Sequence, residues 1–254
     1  MKRYFLEIAY NGTNYHGWQM QANAHSIQAE INKAISVILK EEINIVGAGR
    51  TDTGVHARQM YAHFDSATQL ELEVILFRLN CVTPPDISFV SIIPVKEKAH
   101  VRFDAISRTY EYHYIFKKNP FLQNLAARLN FKPDITILNN TSKILFEYSD
   151  FTSFSKTGTQ VKTNRCTIME AYWEYKTPEH LVFTIKANRF LRNMVRAITG
   201  TIIQVASGKI TENDFRKIIE SKSRRQAGES VHACGLYLTK VEYPEHIINF
   251  QHGQ

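Results

Sequence analysis

The sequence predicts an α+β fold built from two consecutive β-α-β-β-α-β halves with mainly antiparallel sheets. Three observations carry it: segments that alternate apolar and polar residues, segments whose apolar residues recur every three to four positions, and the repetition of their order. RYFLEIAY at 3–10 puts Tyr4, Leu6, Ile8 and Tyr10 on one side, and NGT closes it as a turn, so the chain opens on a strand. From Ser26 to Lys40, Ile27, Ile31, Ile35 and Ile38 fall at helical spacing behind a serine suited to capping. INIV at 43–46 and MYAHF at 60–64 read as strands, Leu72, Ile75, Leu76 and Leu79 mark a second helix, and ISFVSIIPV at 87–95 is the closing strand.

The second half follows the same order. It has a strand at 106–116, a helix at 136–148, strands at 163–175 and 181–188, helical material over 190–220 and a strand at 235–242. Thr211 and Asp214, three apart in TEND, predict a capping box for a helix at 211–222. This is the ferredoxin-like pattern twice over, with a first half at 1–105, a second at 106–254 and no long linker between them. Sheets of this kind can join edge to edge around a central cleft, which is where a substrate is expected.

A chain of 254 residues with 44% apolar side chains can build a sizeable core. Its +7 charge, twelve tyrosines and fifteen phenylalanines favour a polyanionic partner, since phosphate neutralisation and base stacking need those residue types. The apolar runs stop short of the roughly 18 residues that span a membrane, and the first strand begins without a signal-like core. A cytoplasmic protein with no membrane partner is expected. Cys81, Cys166 and Cys234 form no close pair and the ten histidines show no ligand spacing, so neither a disulfide framework nor a metal is expected. No cofactor motif occurs.

The stretch GAGRTDTGVHARQM at 47–60 stands apart. A hairpin connection needs about two to five residues, and this one spends far more. Gly47, Gly49 and Gly54 permit unusual backbone geometry and close approach, while Arg50, Thr51, Asp52 and Thr53 hold polar groups of several kinds on a constrained loop. Asp52 reads either as a turn residue bonded to its own backbone or as a rigidly placed nucleophile or base kept ionised by a cation. A lone carboxylate argues against the paired acids of a glycosidase.

GRTDTGVHARQ at 49–59 resembles the signature loop of the tRNA pseudouridine synthase A family, whose common form is GRTDAGVHA, with Thr53 where alanine is usual. Similar segments follow in order: YNGTNYHGWQMQ at 10–21, VRFDAISRTYEYHY at 101–114, DFTSF at 150–154, NRFLRNMVRAITG at 188–200 and GLYLTKVEYP at 235–244. GESVHAC at 228–234 departs from the family's proline-containing approach to the last strand.

The resemblance implies a cofactor-free and metal-free isomerase that turns uridine into pseudouridine at positions 38–40 of the tRNA anticodon stem-loop, working as a homodimer. A non-catalytic RNA-binding protein on the same scaffold is the alternative. It assigns catalysis to Asp52, the pairing of that carboxylate to Arg196, and packing against the target uracil to Tyr110. By spacing alone Arg196 would be a solvated edge of its helix, and Tyr110, Tyr112 and Tyr114 would line one face of a sheet. Arg50 is placed near the flipped nucleotide, Thr51 and His56 on the same substrate-facing loop with His56 ordering it, and Arg58, Arg102, Arg108, Arg189 and Arg192 are candidates for phosphate contact. The cluster KSRRQ at 222–226 reads equally as a solvated helix end or an outer RNA contact.

Overall fold

The computed structural model describes residues 1–158 and 162–248. In chain order its elements are β1 (Lys2–Tyr10), α1 (Ile27–Leu39), β2 (Val46–Gly47), β3 (His56–Ser66), α2 (Leu72–Val82), β4 (Ile87–Val95), β5 (Ser107–Ile115), β6 (Ala127–Arg128), α3 (Ile135–Lys143), β7 (Ile168–Thr177), β8 (His180–Ala187), α4 (Met194–Ala206), α5 (Glu212–Glu220), β9 (Leu236–Glu242) and α6 (Glu245–Ile248). The class is α+β. Two compact units divide the chain, one of residues 1–106 with 237 onward, the other of 107–236.

In the first unit β1 is flanked by β3 and β4, both antiparallel, with Leu6 opposite Ala62 on one side and Ile92 on the other. The alternation in β1 works as the sequence implies: Tyr4, Leu6, Ile8 and Tyr10 are buried together with Ile27, Ile31 and Ile35 of α1 and Leu79 of α2. Ser26 caps α1 by accepting a hydrogen bond from the Ala29 N–H. The last strand groups with this unit and not with the second half, because β9 runs parallel to β3, with His56 opposite Tyr237 and Ala57 opposite Leu238.

INIV does not make the expected four-residue strand. Ile43 and Ile45 are buried, but their N–H groups donate to Ser36 Oγ and Asn32 Oδ1 of α1, at 2.9 and 3.0 Å, so pairing with β3 starts only at Val46. Side-chain acceptors on the helix have satisfied the backbone that a ladder would have used.

In the second unit β8 lies between β5 and β7, antiparallel to both, and the short β6 runs parallel to β5. Trp173 and Phe183, stacked with centroids 4.6 Å apart, are buried with Leu138, Ile198, Ile202 and Phe215 from the helices. The Thr211–Asp214 capping box forms as its spacing predicts. The helix expected over 136–148 gives way to a tighter 3-10 turn after Lys143. The strand expected from 163 begins at Ile168, since 164–166 is tied to 149–151 instead: the Cys166 N–H donates to the Ser149 carbonyl and the Phe151 N–H to that of Asn164.

On the sheet of the first unit, His63 is buried against Phe5 and accepts the Val101 N–H on Nδ1 at 3.3 Å. Burial, with Arg3 and His100 nearby and Asp65 opposing them, pushes its pKa from 6.5 down to about 4. Above pH 6.5 the ring is neutral both folded and unfolded; as pH falls towards 4 the unfolded chain takes the proton first, and stability drops. After discounting for solvent screening the expected loss across that window is about 2 kcal/mol. Denaturant titrations at pH 7 and 4.5 measure it, and His63→Gln, which keeps an acceptor but does not titrate, should flatten most of the slope.

Candidate active site

The loop from β2 to β3 is eight residues, 48–55, because β3 begins four residues earlier than the hydrophobic pattern implied. It is clamped by residues 10–18. Trp18 N–H donates to the Thr51 carbonyl at 3.1 Å, Gly54 N–H to that of Tyr15 at 3.3 Å, and the hydroxyls of Tyr10 and Thr51 share a hydrogen bond of 2.9 Å. Gly12 N–H donates to Nδ1 of the buried His56 at 3.1 Å. Within the loop the Val55 N–H donates to the Asp52 carbonyl at 3.2 Å, closing a turn in which Gly54 has φ +76°.

The close approach requires glycine on the clamping side. A Cβ on Gly12 would lie 2.0 Å from the Val55 carbonyl oxygen, and one on Gly17, whose φ is +89°, 2.5 Å from that of Thr51. Gly47 likewise faces the Trp18 indole, whereas around Gly49 the space is open and sterics give no reason for glycine. This clamp is the function of YNGTNYHGW that sequence reasoning did not find. Its signal was present: two glycines and three aromatics, Tyr10, Tyr15 and Trp18, crowded into nine positions.

On this frame Asp52 is half-buried, between the buried Thr51 and the exposed Thr53. Thr51 and His56, expected at the substrate, are both buried, and they hydrogen-bond to Tyr10 and Gly12 within the frame. They support the loop. Arg50 and Arg58 are exposed, and the Arg58 guanidinium sits 5.2 Å from the centre of the Tyr237 ring, which also stacks on His56 at 4.6 Å. Arg102 lies away from this cluster, on the loop packed against His63, seven positions along β3 from His56.

The second unit gathers the other expected residues near the start of α4. Tyr110, on β5 opposite Ile185, is half-buried and meets Phe190 edge to face at 5.1 Å. Tyr112 and Tyr114 are buried sheet residues as their alternation implies: the Tyr112 hydroxyl donates to the His232 carbonyl at 2.7 Å, and Tyr114 stacks on Trp173. Burial pushes both phenols well above their usual range.

Arg196 stands in the first turn of α4 and is half-buried, not a freely solvated edge. Its Nε donates to the Val231 carbonyl at 2.7 Å while its own carbonyl accepts the Val231 N–H at 3.2 Å. Residues 227–231 are strapped to the helix from several sides. A Cβ on Gly200 would lie 2.0 Å from the Glu229 carbonyl oxygen, Asn193, at φ +68°, donates to Ser230 Oγ at 2.6 Å, and Arg224 donates to the Gly228 carbonyl and Ser230 Oγ. Arg224, in the KSRRQ cluster, is therefore engaged inside the unit. Arg108 donates to the Asn188 carbonyl at 2.9 Å; Arg189 is half-buried and Arg192 exposed.

Chemically, one unit presents a carboxylate on a glycine-clamped loop flanked by arginines, and the other an aromatic face with a guanidinium fixed through Nε. Among the described residues no cluster of three or more His, Cys, Asp or Glu side chains could hold a metal, and no helix is long and apolar enough to cross a membrane. Residues 8–104 and 148–244 match the family described as tRNA pseudouridine synthase, and the chain belongs to that family of isomerases. Among its relatives, tRNA pseudouridine synthase A of Bacteroides thetaiotaomicron is 49% identical, covering 98% of this chain and 93% of that one. The protein of the same name from Azobacteroides pseudotrichonymphae is 49% identical over 97% of this chain and 99% of its own, and that of Thermoanaerobacter sp. 36% identical over 96% and 100%.

Proposed function

We propose that this protein isomerises uridine to pseudouridine in tRNA, at positions 38–40 of the anticodon stem-loop, without metal or cofactor. The observation that carries the reading is the clamped GRTD loop, which fixes Asp52 half-exposed two residues after the exposed Arg50 and ahead of the exposed Arg58 of β3. In the reaction the N1–C1′ bond breaks, the uracil turns, and C5 bonds to C1′; the C5 proton leaves and N1 gains one. Nothing is oxidised and nothing is transferred away.

In this reading Asp52 is the catalytic carboxylate, Arg196 the cation that pairs with it, and Tyr110 the ring against the uracil. Base chemistry requires unstacking, which costs a few kcal/mol, and an aromatic partner offsets part of it. Arg50 contacts a phosphate or the vacated stack, Arg58, Arg102, Arg108, Arg189 and Arg192 contact phosphates, and Thr51 and His56 hold the loop in place. Two tandem ferredoxin-like halves, a homodimer and a cytoplasmic location belong to the same proposal.

The test is to incubate the purified protein, without metal or cofactor, with an unmodified tRNA transcript and map pseudouridine by carbodiimide treatment and primer extension. Stops confined to the anticodon arm are expected. Stops elsewhere would move the site, and RNA binding without stops would make the protein a binder on this scaffold.

A further inference from the structure

Phe103 is 74% exposed, yet the loop carrying it is firmly built. The His100 N–H donates to Asp104 Oδ2 at 2.7 Å, and the Asp104 N–H returns to the His100 carbonyl at 3.0 Å. His100 Nδ1 accepts the N–H groups of Arg102 and Phe103, at 3.1 and 3.4 Å. The loop is then fixed to the sheet: Arg3 donates to the Ala99 carbonyl, Val101 N–H to His63, and the Tyr243 hydroxyl to the Val101 carbonyl at 2.6 Å. Burial and the Arg3 charge hold the His100 ring below its usual pKa, in keeping with Nδ1 acting as an acceptor.

The result is a layered arrangement at the surface. The His100 ring backs Phe103 at 4.2 Å between centroids, and the exposed Arg102 guanidinium lies 5.9 Å from the Phe103 ring. Exposing a phenylalanine on a mobile tip is common, but here seven hydrogen bonds converge on a loop whose outward product is one aromatic face beside one cation. An aromatic face paired with a guanidinium suits an unpaired base and its phosphate, since every base offers a π-face and every linkage an anion.

We propose that Phe103 and Arg102 form a stacking platform for an unpaired nucleotide of the RNA, separate from the Asp52 loop. His63, on which this loop rests, is seven positions along β3 from His56, about 23 Å at the rise of a strand, so one nucleotide does not reach both places. The proposal deepens the reading of the chain as a tRNA-acting enzyme and rests on it. The platform positions RNA and takes no part in bond making.

The experiment compares the full-length protein with Phe103→Ala, Phe103→Trp and Arg102→Gln, using an unmodified tRNA transcript for filter binding and for pseudouridine formation. Phe103→Ala should weaken binding roughly ten-fold and raise KM alike, with kcat within about two-fold. Phe103→Trp should restore affinity, and its indole emission should be quenched by RNA. Arg102→Gln should lower the salt slope of binding by about one. Unchanged affinity and KM in Phe103→Ala, with the parent still forming pseudouridine, would overturn the platform and leave the function standing. Phe103-dependent binding by a parent that forms no pseudouridine would do the reverse. A lower oligomeric state of Phe103→Ala in sedimentation, at unchanged RNA affinity, would also overturn it, since the partner would then be a second copy of the chain.

Discussion

Asp52→Asn binds tRNA as well as the parent, or slightly better, and forms no measurable pseudouridine: a loss of at least about a thousand-fold is expected. The substitution keeps size and shape, so the loop hydrogen bonds from Trp18, Gly54 and Val55, all of which end on main-chain oxygens, survive it. What disappears is a negative charge on a loop that carries Arg50 and runs into the strand that carries Arg58. For a polyanionic substrate that charge opposes binding, and a binding protein would do better without it. Chemistry at the nucleotide gives it a use. Single-turnover assays with product analysis separate the possibilities: a mutant that still makes pseudouridine removes Asp52 from catalysis, and free uracil from the parent would make the reaction a glycoside hydrolysis.

Residue order shows what is local. The turn that Val55 closes on the Asp52 carbonyl and the capping box at Thr211 join residues within a few positions of each other. The clamp by residues 10–18 could not be read in the same way. It joins segments some forty residues apart through backbone carbonyls, which carry no residue signature, and only Gly12 and Gly17 hint at the close approach. Arg224 illustrates the same limit, since a charge in a basic run looks solvated until the carbonyls it meets are placed. The strand at 43–46 failed for a related reason: Asn32 and Ser36 offered acceptors from a helix, and periodicity does not reveal where a side chain points. Chain order puts the final strand in the second half, whereas pairing with β3 groups it with the first unit.

The clamp predicts a large effect from one methyl group. Gly17→Ala forces an L-residue to hold φ +89° and sets its Cβ 2.5 Å from the carbonyl oxygen of Thr51, the residue immediately before Asp52 in the chain. The backbone conformation alone costs about 1–2 kcal/mol. The clash cannot be relieved by a rotamer, because its partner is main chain, so residues 51–53 must shift. A displacement on the order of 1 Å at a catalytic group lowers kcat about a hundred-fold, and total destabilisation of about 2–4 kcal/mol is expected in urea titrations. Gly208→Ala supplies the comparison: its φ is +73°, but no atom lies within 4 Å of the added methyl. It should lose the conformational part, about 1 kcal/mol, and keep full activity. If both variants keep kcat once the folded fraction is counted, the loop tolerates displacement and Asp52 does not depend on the 10–18 clamp. If only Gly17→Ala loses it, the position of this loop, over and above its composition, sets the rate.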